Sequence, residues 1–335
     1  MYKVAVAPGD GIGQEVIPEA VRVLESTGLS FSFTPVEVGY ETWKKTGEPV
    51  PESSLELIRG NKVLLFGATT TPVGVQNYSS AILTLRKKLN VYANIRPAKS
   101  LPVKNSKPNV DLVVVRENTE GMYSGIEYGS NDTAFTVRVI TRKASERIAR
   151  KAFELAETRE KRLCIVTKAN IMRATCGLFR DSCHMVANEY PEVSVSEQFI
   201  DVAAMNIVMR PQMFDVIVTS NLFGDILSDA AAGAVGGLGL APSANIGEDF
   251  GLFEPVHGSA PDIAGKGIAN PVAAILSSSM MLEYLGEKKW ANSIDNSVYA
   301  VLEEAKVLTP DLGGRSKTTD VTDRIIEKLD ASAHA

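Results

Sequence analysis

The sequence predicts an α/β fold in which helices cover a largely parallel sheet. Short runs rich in β-branched residues recur along the whole chain, and helix-patterned segments stand between them. The composition agrees: of 335 residues, 44% are apolar and 22% charged, as in a globular protein with a sizeable core. That length suits roughly two domains of ordinary size.

Taken in order, strands are predicted at "KVAVAP" (3–8), "VLLFGA" (63–68), "VDLVVVRE" (110–117), "RLCIVTK" (162–168) and "FDVIVTS" (214–220). "ASERIARKAFELAE" (144–157) is one of the intervening helices. "MYSGIEYGSNDTAFTVRVITR" (122–142) departs from the alternation and reads as strand, turn, strand, with Asn131 and Asp132 at the tip. An arm of this kind often reaches beyond its own domain. The tail "DASAHA" (330–335) is expected to fray.

Charge narrows the function. The net charge is −5 and no Lys/Arg block interrupts it, which argues against nucleic acid. No apolar run approaches the ~18 residues that would span a bilayer. The N-terminus enters a strand at once, with no room for a signal peptide, so a cytoplasmic protein is expected. Cys164, Cys176 and Cys183 form an odd set without CxxC spacing and read as reduced thiols.

The turn "VAVAPGDGIGQEV" (4–16) invites comparison with a dinucleotide-binding fingerprint, which needs glycine at the first, third and sixth positions. Counting from Gly9, the sixth position is Gln14, and Glu25 and Glu37 straddle the place of the ribose-binding acid. The fingerprint fails, so a nucleotide site is sought elsewhere.

The candidate chemistry begins with acids. "NLFGDILSD" puts Asp225 and Asp229 four apart, on one face of a helix. They could complement a helix dipole, but the small apolar flanks suit a pair of hard oxygen ligands for Mg²⁺ or Mn²⁺ better. Asp201, alone among apolar residues in "FIDVAAMN", is a possible third ligand. Arg86, Arg96 and Arg116 stand at predicted element ends and suit bidentate carboxylate recognition. Three arginines with three acids suggest a metal-chelated polycarboxylate. Tyr123 follows one strand, and Lys168 ends another, where partial desolvation would make it a useful base. A satisfied core tyrosine and a snorkelling lysine are the plainer readings. In "GLFEPVHGSAPDIAGKGIANP" (251–271), His257, Asp262 and Asn270 could grip adenosine, with Asp262 accepting from ribose hydroxyls.

These motifs, with "LRKKLNVYANIRP", "RENTEGMYSGIE", "TKANIMR", "GGLGLAPSANIG" and "TPDLGG", closely resemble the β-decarboxylating dehydrogenases. That group contains isopropylmalate, isocitrate and homoisocitrate dehydrogenases. The resemblance runs from Val4 to about Leu329. It implies an isopropylmalate-dehydrogenase-like two-domain fold with a non-Rossmann nucleotide site. Residues 1–91 and 236–335 would form the larger, nucleotide-binding domain. Residues 92–235 would form an inserted domain bearing a dimerisation arm at about 123–142. It also implies a homodimer or tetramer whose active sites are shared between subunits.

Carried over by resemblance, Arg86, Arg96 and Arg116 bind the malate carboxylates, and Asp225 and Asp229 hold the metal with Asp201 from the partner. Lys168, also from the partner, takes the hydroxyl proton. Tyr123 protonates C3 after carbon dioxide leaves. The cofactor residues implied are Thr71, Asn170, Glu254, His257, Gly258, Ser259, Ala260, Asp262, Ile263, Asn270 and Asp311. NAD users of the family carry Asp-Ile where Asp262 and Ile263 stand, and NADP users carry Lys and Tyr. A carboxylate repels a 2′-phosphate and accepts from a free ribose diol, so NAD is expected.

The substrate tail meets "NYSSAILTLR" (77–86), which offers hydroxyls at Ser79 and Ser80 beside an apolar wall at Ile82 and Leu83. Archaeal and fungal homoisocitrate enzymes resemble the whole segment. Isopropylmalate enzymes share the apolar pair and differ in having Glu at the position of Ser79. Isocitrate enzymes share a serine at Ser80 and differ in having Asn at Ile82. Homoisocitrate leads, with isopropylmalate next and isocitrate or broad specificity after it. Regulatory subunits of hetero-oligomeric relatives lose the tyrosine, the lysine or a metal acid. All are present here, which favours an enzyme.

Overall fold

The computed structural model describes residues 1–75 and 77–333. In chain order the strands are β1 (Tyr2–Gly9), β2 (Phe31–Pro35), β3 (Val63–Ala68), β4 (Ala93–Lys99), β5 (Asp111–Glu117), β6 (Glu127–Gly129), β7 (Ala134–Thr136), β8 (Arg162–Thr167), β9 (Ser194–Phe199), β10 (Val216–Thr219), β11 (Pro242–Ile246) and β12 (Gly251–Pro255). The helices are α1 (Gly13–Ser26), α2 (Tyr40–Thr46), α3 (Glu52–Arg59), α4 (Ala81–Lys88), α5 (Arg142–Glu157), α6 (Arg173–Ala187), α7 (Ile200–Met209), α8 (Asn221–Ala234), α9 (Val272–Tyr284), α10 (Lys288–Glu304) and α11 (Thr318–Ala333). Helix α11 carries the expected fraying tail as far as Ala333, and the rest of that tail lies outside the described residues.

The chain divides into two units. Met1–Asn90, Leu101–Ser106 and Gly236–Ala335 make the first, and Val91–Ser100 with Lys107–Val235 make the second.

In the first unit the strands lie in the order β2-β1-β3-β12-β11. β1 runs parallel to β2 and β3, β12 runs parallel to β3, and β11 is antiparallel to β12. Every residue of β3 is buried, the mark of a parallel strand covered on both faces, which is why "VLLFGA" reads as an unbroken apolar run. Helix α1 buries Val16, Ile17, Ala20, Val23 and Leu24, spaced three and four apart along one stripe. Helix α9 is buried nearly all round; its Ser277 and Ser278 hydroxyls bond back to the Ala273 and Ile275 carbonyls, so they cost little there.

In the second unit the order is β4-β5-β10-β8-β9. β4 and β5 are antiparallel, and β10 is parallel to both β5 and β8. Leu112, Val114, Cys164, Val166 and Ile217 meet Ala203, Ile207, Leu227 and Ala231 in one apolar core. This core fixes α7 and α8 against the sheet. The predicted strand-turn-strand is the β6–β7 hairpin, pairing Glu127 with Thr136, although its strands are only three residues each. The Ser130 hydroxyl accepts from the Asp132 and Thr133 N–H groups and closes the tip. Ile126, Tyr128 and Phe135 on the hairpin are more than half exposed.

Candidate active site

Helix α8 organises the second unit's polar cluster. Asp225 lies a full turn inside it and Asp229 another turn on, so neither acid serves the N-terminal dipole. Asn221, Asp225, Ser228 and Asp229 recur at helical spacing and share one face. Across from them, β4 and β5 pair Arg96 with Val114 and Asn94 with Arg116, which puts both arginines diagonally on the same side of the sheet. Arg96 therefore stands within β4, not at the element end expected from the sequence.

The groups meet closely. Arg116 Nη1 donates to Asp225 Oδ1 at 2.5 Å, while its Nε and Nη2 donate to Asn221 Oδ1 at 3.1 and 2.7 Å. Arg96 Nη1 donates to Ser228 Oγ at 2.8 Å, Asp229 Oδ1 at 3.0 Å and Asp225 Oδ1 at 3.4 Å. The Tyr123 hydroxyl donates to Asp225 Oδ2 at 2.7 Å, and the Arg116 guanidinium lies 5.5 Å from its ring centre. Tyr123 is held in a short 3₁₀ turn, Met122–Ser124. The buried Glu117 side chain shapes the approach to it by accepting from the Thr119 and Glu120 N–H groups. Arg116 itself is 1% exposed, and the partners that α8 holds against it help to offset the cost of burying that charge. Burial pushes the Asp229 carboxyl above its usual range, against the pull of Arg96. Asn221 and Ser228 were not singled out from the sequence; their register with Asp225 and Asp229 was the available signal.

Lys168 and Asp201 form a separate pair, Nζ to Oδ1 at 2.6 Å. The expected desolvated lysine is thus an ion-paired one, and its hydrogen bond holds the exposed Asp201 carboxyl below its usual range. Asn170 lies exposed in the turn after β8. No group of three His, Cys, Asp or Glu side chains able to hold a metal converges among the described residues. Asp225 and Asp229 supply hard oxygens of the kind that suits Mg²⁺ or Mn²⁺.

In the first unit, Arg86 Nη2 meets Glu254 Oε1 at 3.0 Å with both side chains buried, and Asn245 donates to the same oxygen at 2.8 Å. Glu254 is therefore engaged with Arg86. Ser79 is exposed, Ile82 and Leu83 are half-buried, and Ser80 precedes α4, its hydroxyl 3.5 Å from that of Thr71. Asn270 Nδ2 donates to Asp311 Oδ2 at 2.9 Å, and Asn270 Oδ1 accepts from the Val272 N–H at the start of α9. Gly258 and Asp262 are exposed, Ser259 is buried, and Ile263 closes a turn onto the Ala260 carbonyl. His257 is half-buried, and desolvation lowers its pKa below the ordinary imidazole value. Its Nδ1 lies 3.0 Å from the Gly258 carbonyl, so Nδ1 carries the proton and Nε2 is the acceptor. That Nε2 is buried without a partner. A buried acceptor awaiting a donor fits a nucleotide base bearing an amino group.

The turn at residues 9–13 does different work from a phosphate cradle. At Gly9 (φ +75°) and Gly11 (φ +56°) a β-carbon would fall on the carbonyl oxygens of Ala68 and Ser259. Glycine there lets the Asp10 and Ile12 N–H groups reach those carbonyls, at 2.6 and 2.9 Å.

Residues 3–325 match the family described as isocitrate/isopropylmalate dehydrogenase. The chain belongs to that family. It is 54% identical over 330 residues to the isocitrate/homoisocitrate dehydrogenase of Thermus thermophilus, covering 98% of each chain. It is 49% identical over 332 residues to the 3-isopropylmalate dehydrogenase of Archaeoglobus fulgidus, covering 98% of this chain and 100% of that one. Among solved structures, isocitrate dehydrogenase from Methylococcus capsulatus superposes with a TM-score of 0.94 at 46% identity, covering 98% and 99% of the two chains. The fold is that of the isocitrate and isopropylmalate dehydrogenases, and the protein is a β-decarboxylating dehydrogenase. No helix among the described residues is long and apolar enough to cross a membrane.

Proposed function

We propose that the protein catalyses the NAD-dependent, divalent-cation-dependent oxidative decarboxylation of a 3-substituted malate, with homoisocitrate as lead substrate. The observation that carries this reading is Asp225, which gathers Arg96, Arg116 and the Tyr123 hydroxyl around one carboxylate. Two guanidinium groups beside two acids suit a ligand that brings both carboxylates and a cation.

Arg96 and Arg116 hold substrate carboxylates, and Arg86 has the same role in the first unit. Asp225 and Asp229 hold the cation together with Asp201 of a second copy. A divalent ion held by those acids would supply Lewis acidity toward the substrate hydroxyl, and a bound NAD would supply the hydride acceptor. Lys168 removes the hydroxyl proton, and Tyr123 delivers its proton to C3 once carbon dioxide has left. His257 and Asp262 hold the adenosine, through the unpartnered Nε2 and through a carboxylate that accepts from the ribose diol.

A homodimer is part of this reading, and dimers could pair further into tetramers. It is supported by the apolar side chains left exposed on the hairpin, Ile126, Tyr128 and Phe135, and on α7, Val202, Met205, Val208 and Met209.

The half-buried Ile82 and Leu83 favour a second reading, an isopropyl tail, because such a wall packs methyl groups as readily as methylenes. A pocket of this kind separates the two by only ~1–3 kcal/mol. The test is NADH formation from homoisocitrate, 3-isopropylmalate and isocitrate, each with Mn²⁺ and then with excess chelator. The highest kcat/KM is expected for homoisocitrate, with all activity lost on chelation. No NADH from any of the three, or rates indifferent to chelator, would refute the reading.

A further inference from the structure

The Asp10 carboxylate, which sits in the glycine turn, has no part in the chemistry above. Asp10 is 3% exposed, although it is a carboxylate. Three backbone donors account for this: the Tyr40 and Thr70 N–H groups reach Oδ2 at 2.8 Å, and the Glu41 N–H reaches Oδ1 at 3.1 Å. Tyr40 and Glu41 begin α2, and Thr70 lies two residues beyond the end of β3.

Every polar group of Thr70 is engaged by a different segment. Its N–H goes to Asp10. Its carbonyl accepts from the Tyr78 hydroxyl at 2.9 Å, one residue before Ser79. Its hydroxyl shares a 2.7 Å hydrogen bond with the hydroxyl of Ser259. Tyr78 is further braced edge-on against Tyr40 and Trp43, with ring centres 5.5 Å from each. Ser259 is braced too, since its carbonyl accepts from the Ile12 N–H at 2.9 Å. Beyond it, the Glu15 carboxylate accepts from the Gly265 and Gly267 N–H groups at 2.5 and 2.8 Å. One side of Thr70 therefore faces the segment bearing Ser79 and Ser80, and the other faces the Gly258–Asp262 loop.

We propose that Thr70 is a positioning residue that registers the Ser79–Ser80 segment against the Gly258–Asp262 loop, so that tail discrimination and dinucleotide affinity depend on one hydroxyl pair. The proposal rests on reading those two segments as tail-binding and dinucleotide-binding. Thr70→Val keeps the shape and removes the hydroxyl, whereas Thr70→Ser keeps the hydroxyl and removes the methyl group. Loss of one hydrogen bond corresponds to a roughly two- to tenfold effect. In Thr70→Val, titration should show NAD bound that much more weakly. The ratio of kcat/KM for homoisocitrate to that for 3-isopropylmalate should move by a similar factor, with kcat at saturating NAD and substrate held. Thr70→Ser should match the unmutated protein in both measurements. Tyr78→Phe, which removes the tether to the Thr70 carbonyl and the hydroxyl's contact with the Ala81 backbone but leaves the Thr70–Ser259 hydroxyl pair, should move the substrate ratio and leave NAD affinity alone.

If Thr70→Val changes neither quantity, or if Thr70→Ser is as impaired as Thr70→Val, the proposal fails while the activity assignment stands. If the unmutated protein neither binds NAD nor oxidises either substrate, the underlying reading fails and takes this one with it.

Discussion

Gly224 is where α8 crosses Arg116, and replacing it with alanine tests the cluster from a position that touches no ligand. A β-carbon there would lie 2.6 Å from both Cβ and Cγ of Arg116 and 3.2 Å from its Cδ. Carbon atoms rest at ~3.5–4.0 Å, so the arginine must withdraw by about 1 Å. It has no solvent to retreat into, being 1% exposed. Its bonds to Asn221 and Asp225 are anchored on the same helix, at positions −3 and +1 from the added methyl group. A charge-assisted hydrogen bond is worth ~1.5–3 kcal/mol, and a 1 Å misplacement near reacting groups can cost ~10²-fold. The expected loss in kcat/KM is therefore about ten- to a hundredfold. Stability should change less, because overpacking costs ~1–3 kcal/mol and the helix gains ~1 kcal/mol from alanine. Gly233→Ala on the same helix is the control, since a β-carbon there meets nothing within 4 Å. Steady-state kinetics and calorimetric Tm on both variants decide the matter. If Gly224→Ala is as active as Gly233→Ala, the close packing of α8 on Arg116 does not position the guanidinium as argued.

Three other outcomes are expected. Tyr123→Phe should cut overall turnover by ~10²–10⁴-fold while hydride transfer partly survives; unaltered turnover would remove Tyr123 as the acid. Asp262→Lys should move preference from NAD toward NADP by trading a carboxylate for a phosphate partner, and a variant still equally strict for NAD would count against that loop's role. Burial raises the Cys164 thiol to about 11 and pushes Cys183 up as well, and Cys176 is 1% exposed. A disulfide-exchange reagent at mild alkaline pH should therefore titrate no thiols in the native protein and three after denaturation; fast native reaction would contradict the burial.

The strands were the most legible part of the sequence. β3, β8 and β10 are buried along almost their whole length, so their apolar runs needed no alternation to be recognised. The shared face of Asp225 and Asp229 was legible for a similar reason, because helical spacing fixes it locally. Arg96 was misplaced at an element end: β4 runs on past it through Pro97 to Lys99. The use of "GDGIG" was not legible at all. Asp10 and Glu15 act on backbone groups 30 to 60 and about 250 residues away, as do the close approaches at Gly9 and Gly11. No local pattern encodes where a distant N–H will arrive.

Because Asp225 and Asp229 already face Arg96 and Arg116, the resting cluster is close to electroneutral. A cation arriving alone would have to tear carboxylates from guanidinium groups that then repel it. A polyanion arriving alone would strand those acids beside fresh negative charge. Only the two together exchange partners without a deficit, so each should raise the other's affinity by the same factor. Calorimetric titration of Mn²⁺ with and without bound malate would reveal that synergy, and identical isotherms would disprove it. Under the proposed function, the arrangement would also shield Asp225 and Asp229 from stray metal until a substrate accompanies it.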